Sequence, residues 1–198
     1  MGDAFINQPT YGDNPTARNR GQPSNHEGHY WIGGFENRPT PQSKPGKIVG
    51  DRPQGTLRSP AFLITGSSIE FLVGGGCHID TVRVELVVAD KVVRRATGKC
   101  TETMERKHWD TTSFIGNKAY VRLIDRSSGG WGHINFDDFG GDIQFCEGTW
   151  ASYSYSGALT IFFFLIIFHF RLNVNFRTRH LINCVLKCLI IAVRKVQS

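Results

Sequence analysis

Between residues 56 and 145 apolar and polar positions alternate in short runs broken by turn residues, the period of β-strands that bury one face. Val82, Val84, Leu86 and Val88 interleave with Arg83, Glu85 and Val87, which predicts a strand with a single buried face. Asp90-Lys91 then turns the chain into Val92-Val93-Arg94-Arg95, a hairpin whose turn lacks the usual glycine. Residues 61–64 and 69–73 predict two further strands divided at Gly66-Ser67-Ser68, the second running into Gly74-Gly75-Gly76, where only a bare backbone permits close approach. Residues 120–125 alternate again, and residues 133–137 supply a last strand after a turn at 127–130. Short strands, turns every roughly 8 to 12 residues and no amphipathic helix predict an all-β antiparallel sandwich.

The flanks differ from this middle. Residues 1–55 are dense in Gly, Pro, Asn, Asp and Arg, with aromatic islands at Tyr30-Trp31 and Phe35. They are expected to form loops with one or two short strands laid over the sandwich, because Tyr30-Trp31-Ile32 is too apolar to leave in water. Residues 56–146 are expected to hold the core strands, and 147–198 a separate hydrophobic, basic tail. Residues 148–170 contain no Asp, Glu, Lys or Arg and include the mostly apolar run 159–168, so a membrane helix is expected at about 150–170 with Tyr153 and Tyr155 at the interface. The same stretch also fits translated non-coding sequence, and both readings stand.

Charge follows this division. Residues 1–147 balance 17 basic against 17 acidic residues, and the whole excess of +6 lies in the tail. With no basic face and no reading motif in the folded part, a nucleic-acid partner is not expected. Basic residues after the apolar run would leave the folded part outside and the C-terminus in the cytosol. Cys77 and Cys100 bracket a hairpin-like stretch and can meet as a disulfide in an oxidising compartment or remain two half-buried thiols. Cys184 and Cys188 lack further Cys or His partners for zinc, and no cofactor or metal is expected. The first ten residues carry no apolar signal-peptide core, and Asn14-Pro15-Thr16 is no glycosylation sequon because proline occupies its middle position.

Several blocks occur in order: residues 50–60 (Gly-Asp-Arg-Pro-Gln-Gly-Thr-Leu-Arg-Ser-Pro), 69–76 (Ile-Glu-Phe-Leu-Val-Gly-Gly-Gly), 96–98 (Ala-Thr-Gly), Trp109-Asp110, and 128–137 (Ser-Gly-Gly-Trp-Gly-His-Ile-Asn-Phe-Asp). Together they resemble the accessory β-sandwich module attached to some family-32 glycoside hydrolases, the levanase, inulinase and invertase group, and found in secreted animal proteins. The resemblance spans roughly residues 2–142. It implies a jelly-roll-like sandwich of the galactose-binding type, secreted or at the cell surface, whose N-terminal strand is missing here through truncation. It brings no catalysis: the nucleophile and acid motifs of the hydrolase belong to a separate propeller domain and do not occur in this chain.

Without those motifs the chain is expected to be no enzyme but an extracellular binding or adhesion module for carbohydrate or glycoprotein. The alternative is an architectural spacer from a larger secreted protein or hydrolase. Trp31, Trp109 and Trp131, with His133 and Asn135, are the candidate ligand-binding residues, since an exposed indole stacks on a sugar ring and nearby polar groups bond its hydroxyls. A structural role competes, in which Trp131 plugs an edge while His133 and Asn135 tie down a loop. His78, His108, Asp80, Asp110, Asp137 and Asp138 fit no catalytic spacing and are expected to be structural hydrogen-bonding groups. Asp137, Asp138, Asp142 and Glu147 form an acidic run without an EF-hand spacing for calcium.

Overall fold

The computed structural model describes residues 2–145. The expected tail helix and the boundary at 147 therefore lie outside the described residues. Within them the chain runs through β1 (Thr10–Tyr11), α1 (Asn14–Ala17), β2 (Tyr30–Gly33), β3 (Gly55–Arg58), β4 (Phe62–Gly75), β5 (Val82–Val88), β6 (Lys91–Ala96), β7 (Thr101–Asp110), β8 (Lys118–Asp125) and β9 (Ile134–Phe145). Every strand pair is antiparallel. The fold is all-β, with strand order β1-β2-β9-β4-β8-β5-β6, β3 added to β8 and β7 to β4. Among the described residues no helix is long and apolar enough to cross a membrane.

β4 joins two halves. Phe62 and Leu63 pair with Ala119 and Lys118 of β8, and from Ser68 onward the strand lies against β7. Its ladder to β9 breaks between Ile64 and Ile69 and then resumes. The two strands expected here are thus one 14-residue strand. Gly66, Ser67 and Ser68 bend it without ending it, because β9 supplies hydrogen-bonding partners on both sides of the bend. Side chains from the two halves fill one core: Leu57, Val84, Leu86, Val121 and Leu123 from one, Ile69, Phe71, Val73, Trp109 and Phe136 from the other.

The alternation in β5 proves only half of its story, since all seven residues are buried. Its polar face is buried because it is neutralised in place. Glu85 stands opposite Arg122 of β8 and Arg95 of β6. It accepts hydrogen bonds from Arg83 Nε at 2.6 Å and Arg122 Nε at 2.8 Å, so that these donors and charges hold it below the usual carboxylate range despite the burial that opposes them. The β5–β6 turn places Ala89 and Asp90 at φ +48° and +60°, the doubly left-handed geometry of a type I′ turn that Asn-Gly usually supplies.

β7 escaped the hydrophobic pattern altogether, because one of its inward residues is Glu102, 2% exposed. Immediately before it, a Cys77–Cys100 disulfide fastens the start of β7 to the segment leaving β4. The N-terminal loops do lie over the sheet. Ala4 and Phe5 join the main core, and Trp31 packs with Leu72 and Met104 in a second cluster.

Candidate functional site

Five segments meet at the end of the molecule where β7 begins and β9 begins. The first is the short helix α1. Pro15 suits its first turn, and Asp13 caps it by accepting from Thr16 N–H at 3.3 Å and also takes the Thr16 hydroxyl at 2.7 Å. Burial opposes ionisation of Asp13, but hydrogen bonds from Thr16 and Ser24 prevail and hold it below its ordinary value. The helix then stops at Arg18, and Arg20 N–H donates back to Pro15 O at 3.1 Å, so Arg18 and Arg20 leave the same turn.

Arg18 reaches inward between two buried carboxylates, Glu36 at 2.6 Å and Glu102 at 2.5 Å. Glu102 also receives Asn135 Nδ2 at 3.2 Å and lies 3.4 Å from His133 Nε2. The opposite ring nitrogen, His133 Nδ1, is 2.7 Å from Asp51 Oδ1. His133 is therefore a buried ring held between two carboxylates. Burial alone would lower its pKa, yet the hydrogen bonds and charges of Asp51 and Glu102 outweigh it and raise it to about 9. For Glu102 burial is likewise overcome, by His133 and Arg18, and its pKa is lowered. Glu36 goes the other way, because its desolvation exceeds what Arg18 and Asn14 return.

Trp131 closes the arrangement. Its φ is +61°, an unusual conformation for a bulky residue. The surrounding backbone enforces it: Gly132 N–H donates to Gly129 O at 2.9 Å, and a Cβ at Gly76 would lie 2.4 Å from Trp131 O. The half-buried indole then flanks His133, with ring centroids 5.6 Å apart, while Phe35 flanks the imidazole from another side at 5.1 Å. Arg18 lies 4.9 Å from the Phe35 centroid and Arg20 5.2 Å from that of Trp131. Three cations and two aromatic rings thus alternate in the order Arg18, Phe35, His133, Trp131, Arg20. Beside them opens a cleft of about 290 Å³, lined also by Ile48, Asp51, Glu102 and Gly130.

Of the residues singled out from the sequence, Trp131 and His133 line this cleft and Asn135 stands behind it. Asn135 is fully buried and donates to Glu102 O at 3.1 Å and to the Glu102 carboxylate at 3.2 Å, so it holds that carboxylate in place from behind the cleft. Trp31 and Trp109 are corrections. Trp31 is 0% exposed, with its Nε1–H given to Gly12 O, and Trp109 is 6% exposed against Phe71. Neither offers a face to a sugar. His108 pairs loosely with Glu70 on the surface, Asp110 binds Thr112, Asp137 accepts from Glu27 N–H, and Asp138 pairs with Arg106. Asp142 accepts from Ser68 N–H, so these acids are spread over separate structural contacts. Among the described residues no group of three His, Cys, Asp or Glu is placed to hold a metal ion.

Arg18, Arg20, Phe35, Asp51 and Glu102 were not singled out from the sequence. They come from a Gly- and Pro-rich segment and from a polar strand, and only long-range pairing makes them one site. Two of them carried a signal, Phe35 as an aromatic island in a polar segment and Asp51 as the second residue of the block that opens the family resemblance at 50–60.

No protein-family model matches the chain. Over 90 residues it is 42% identical to a protein named "Putative glycosyl hydrolase ecdE" from Aspergillus rugulosus. That alignment takes in 46% of this chain and 13% of the fungal protein, so the shared part is a small fraction of the relative's length. The chain thus carries a domain related to part of a protein with a glycoside hydrolase name.

Proposed function

We propose that residues 2–145 are a non-catalytic carbohydrate-binding module, an accessory unit of the family-32 type with a jelly-roll, galactose-binding-like fold, working outside the cell or at its surface. The observation that carries this is the cleft itself: a half-buried Trp131 ring beside a floor of charged hydrogen-bonding groups, the pairing of apolar face and few fixed polar groups that suits a sugar. The name of the fungal relative supports a carbohydrate setting.

The engagement of the carboxylates supports binding without chemistry. Glycoside hydrolysis needs a carboxyl that gives up its proton at the leaving oxygen and a second that is free to act on the ring. Glu102 is locked to Arg18 and held ionised, Asp51 is committed to His133, and Glu36, the carboxyl with a raised pKa, has no exposed surface. None can serve as a general acid in the cleft.

The test is a glycan and fructan screen on the full-length chain, read by intrinsic fluorescence, with Trp131→Ala as control. Saturable binding that weakens at least about tenfold in a folded Trp131→Ala variant is the expected result. A folded chain that binds no sugar would replace this proposal with the architectural spacer, which the burial of Trp31 and Trp109 favours.

A further inference from the structure

In the cleft each carboxylate is paired with a cation, and one cation is left without a carboxylate. Asp51 gives Oδ1 to His133, and Glu102 gives Oε1 to Arg18 and Oε2 to Asn135. Glu36, behind them, takes the other amino group of Arg18 together with Asn14. Arg20 is different. It is exposed at the rim, and among the described residues no carboxylate lies within ion-pair distance of it. Its one described side-chain contact is the cation–π approach to Trp131, 5.2 Å from the ring centroid, and no described hydrogen bond uses its guanidinium N–H donors.

The two other positive groups in the same row, Arg18 and the imidazole of His133, are each paired with carboxylates, which leaves Arg20 as the cation open to a ligand. An indole with a free cationic fork at its edge is complementary to a ring that carries an anion at its own edge. A guanidinium binds a carboxylate or sulfate by two parallel hydrogen bonds, whereas a neutral hydroxyl can use only one.

We propose that the cleft takes an anionic sugar, a ring bearing a carboxylate or sulfate that lies against Trp131 with its anion held in the fork of Arg20. This inference rests on the carbohydrate-binding reading above and names the class of ligand for the same site. Trp131 supplies the platform common to all sugars, and Arg20 supplies the selection. Because Arg20 is exposed, the selectivity is screened by salt while stacking is not.

The experiment is calorimetric titration of the full-length chain with a panel of neutral, uronate-containing and sulfated oligosaccharides matched in linkage and length, at low and high salt. Arg20→Gln and Trp131→Ala are titrated alongside, with near-ultraviolet circular dichroism to establish that each is folded. Acidic ligands are expected to bind about tenfold tighter than their neutral counterparts at low salt. That margin should vanish in Arg20→Gln and shrink with salt, whereas Trp131→Ala should weaken both kinds of ligand. Preference for the uronate or for the sulfate identifies which anion the site accepts. Neutral sugars binding as tightly as acidic ones, or an acidic preference that survives in Arg20→Gln, would overturn the anionic ligand and leave the carbohydrate reading in place. A folded chain that binds nothing in the panel would overturn both.

Discussion

Two buried carboxylates, Glu85 and Glu102, are each surrounded by cations, and they are built in opposite ways. Around Glu85 every partner is supplied by the sheet: Arg83 two residues away on its own strand, Arg122 and Arg95 directly opposite on the two neighbouring strands. Around Glu102 the partners come from remote segments, with Arg18 84 residues away and Asn135 33 away. The first cluster is a by-product of register. The second is assembled by loops held over a cleft, and it ends in a cation without a counterion. A buried ion pair that register alone explains is architecture. One that several loops must be ordered to create, beside a cavity, has the form of a binding site.

The comparison can be broken most severely at Glu102. Glu102→Ala leaves Arg18 and His133 buried without their shared partner and is expected to destabilise the fold by about 3–5 kcal/mol in chemical denaturation. Glu85→Ala should cost less, about 2 kcal/mol, because Arg95 and Arg122 are half-exposed and can turn to water while the buried Arg83 keeps its bond to Asp80 O. A folded Glu85→Ala should also keep full affinity for sugar, whereas any Glu102 variant that folds should lose it. Equal effects of the two on binding would erase the distinction between architecture and site.

Next in size is the disulfide. Cys77 and Cys100 are 23 residues apart, and Glu102 follows two residues after the bond. Replacing both by serine should lower stability by about 3 kcal/mol through the freed loop. Binding should fall with it, because the strand that carries Glu102 is anchored there.

The pH dependence of stability is smaller and distributed. His133 is raised from 6.5 to about 9, so the folded state keeps a proton that the unfolded chain releases. The stability this provides is complete below pH 6.5 and is lost as pH rises to 9. Burial raises Asp125 and Asp137 from 3.8 to about 7, which acts in the same sense between pH 4 and 7. Glu102 and Glu85, lowered from 4.5, act oppositely and only as pH falls below that value. Tm should therefore decline steadily from pH 5 to pH 9. In His133→Gln the part of that decline above pH 6.5 should flatten, as calorimetry across the range would show.

The sequence made the strands legible wherever burial and hydrophobicity coincide, as in β5, β8 and the β5–β6 hairpin. It misled where they part. β7 turns a glutamate inward, β5 buries arginine and glutamate on its second face, and β4 bends at Gly66 without ending, so local pattern marked no strand, a half-exposed strand and two strands. Trp131 and His133 were legible because a Gly-Gly-Trp-Gly turn is unusual in itself. The rest of the site was not, because Arg18, Arg20, Asp51 and Glu102 acquire meaning only through contacts across the fold. Trp31 and Trp109 show the converse: an indole is the largest apolar group available, and a core claims it as readily as a ligand site does.

The most direct test of the cleft is an NMR titration of the full-length protein, labelled at its indole nitrogens, with the tightest-binding oligosaccharide. Of the four indoles, Trp150 is assigned by Trp150→Phe, and Trp31 and Trp109, both buried and neither lining the cleft, serve as internal controls. The structure predicts a saturable shift of the Trp131 indole with Trp31 and Trp109 unmoved; shifts at the buried indoles with Trp131 silent, or no shift at any of the three, would contradict it.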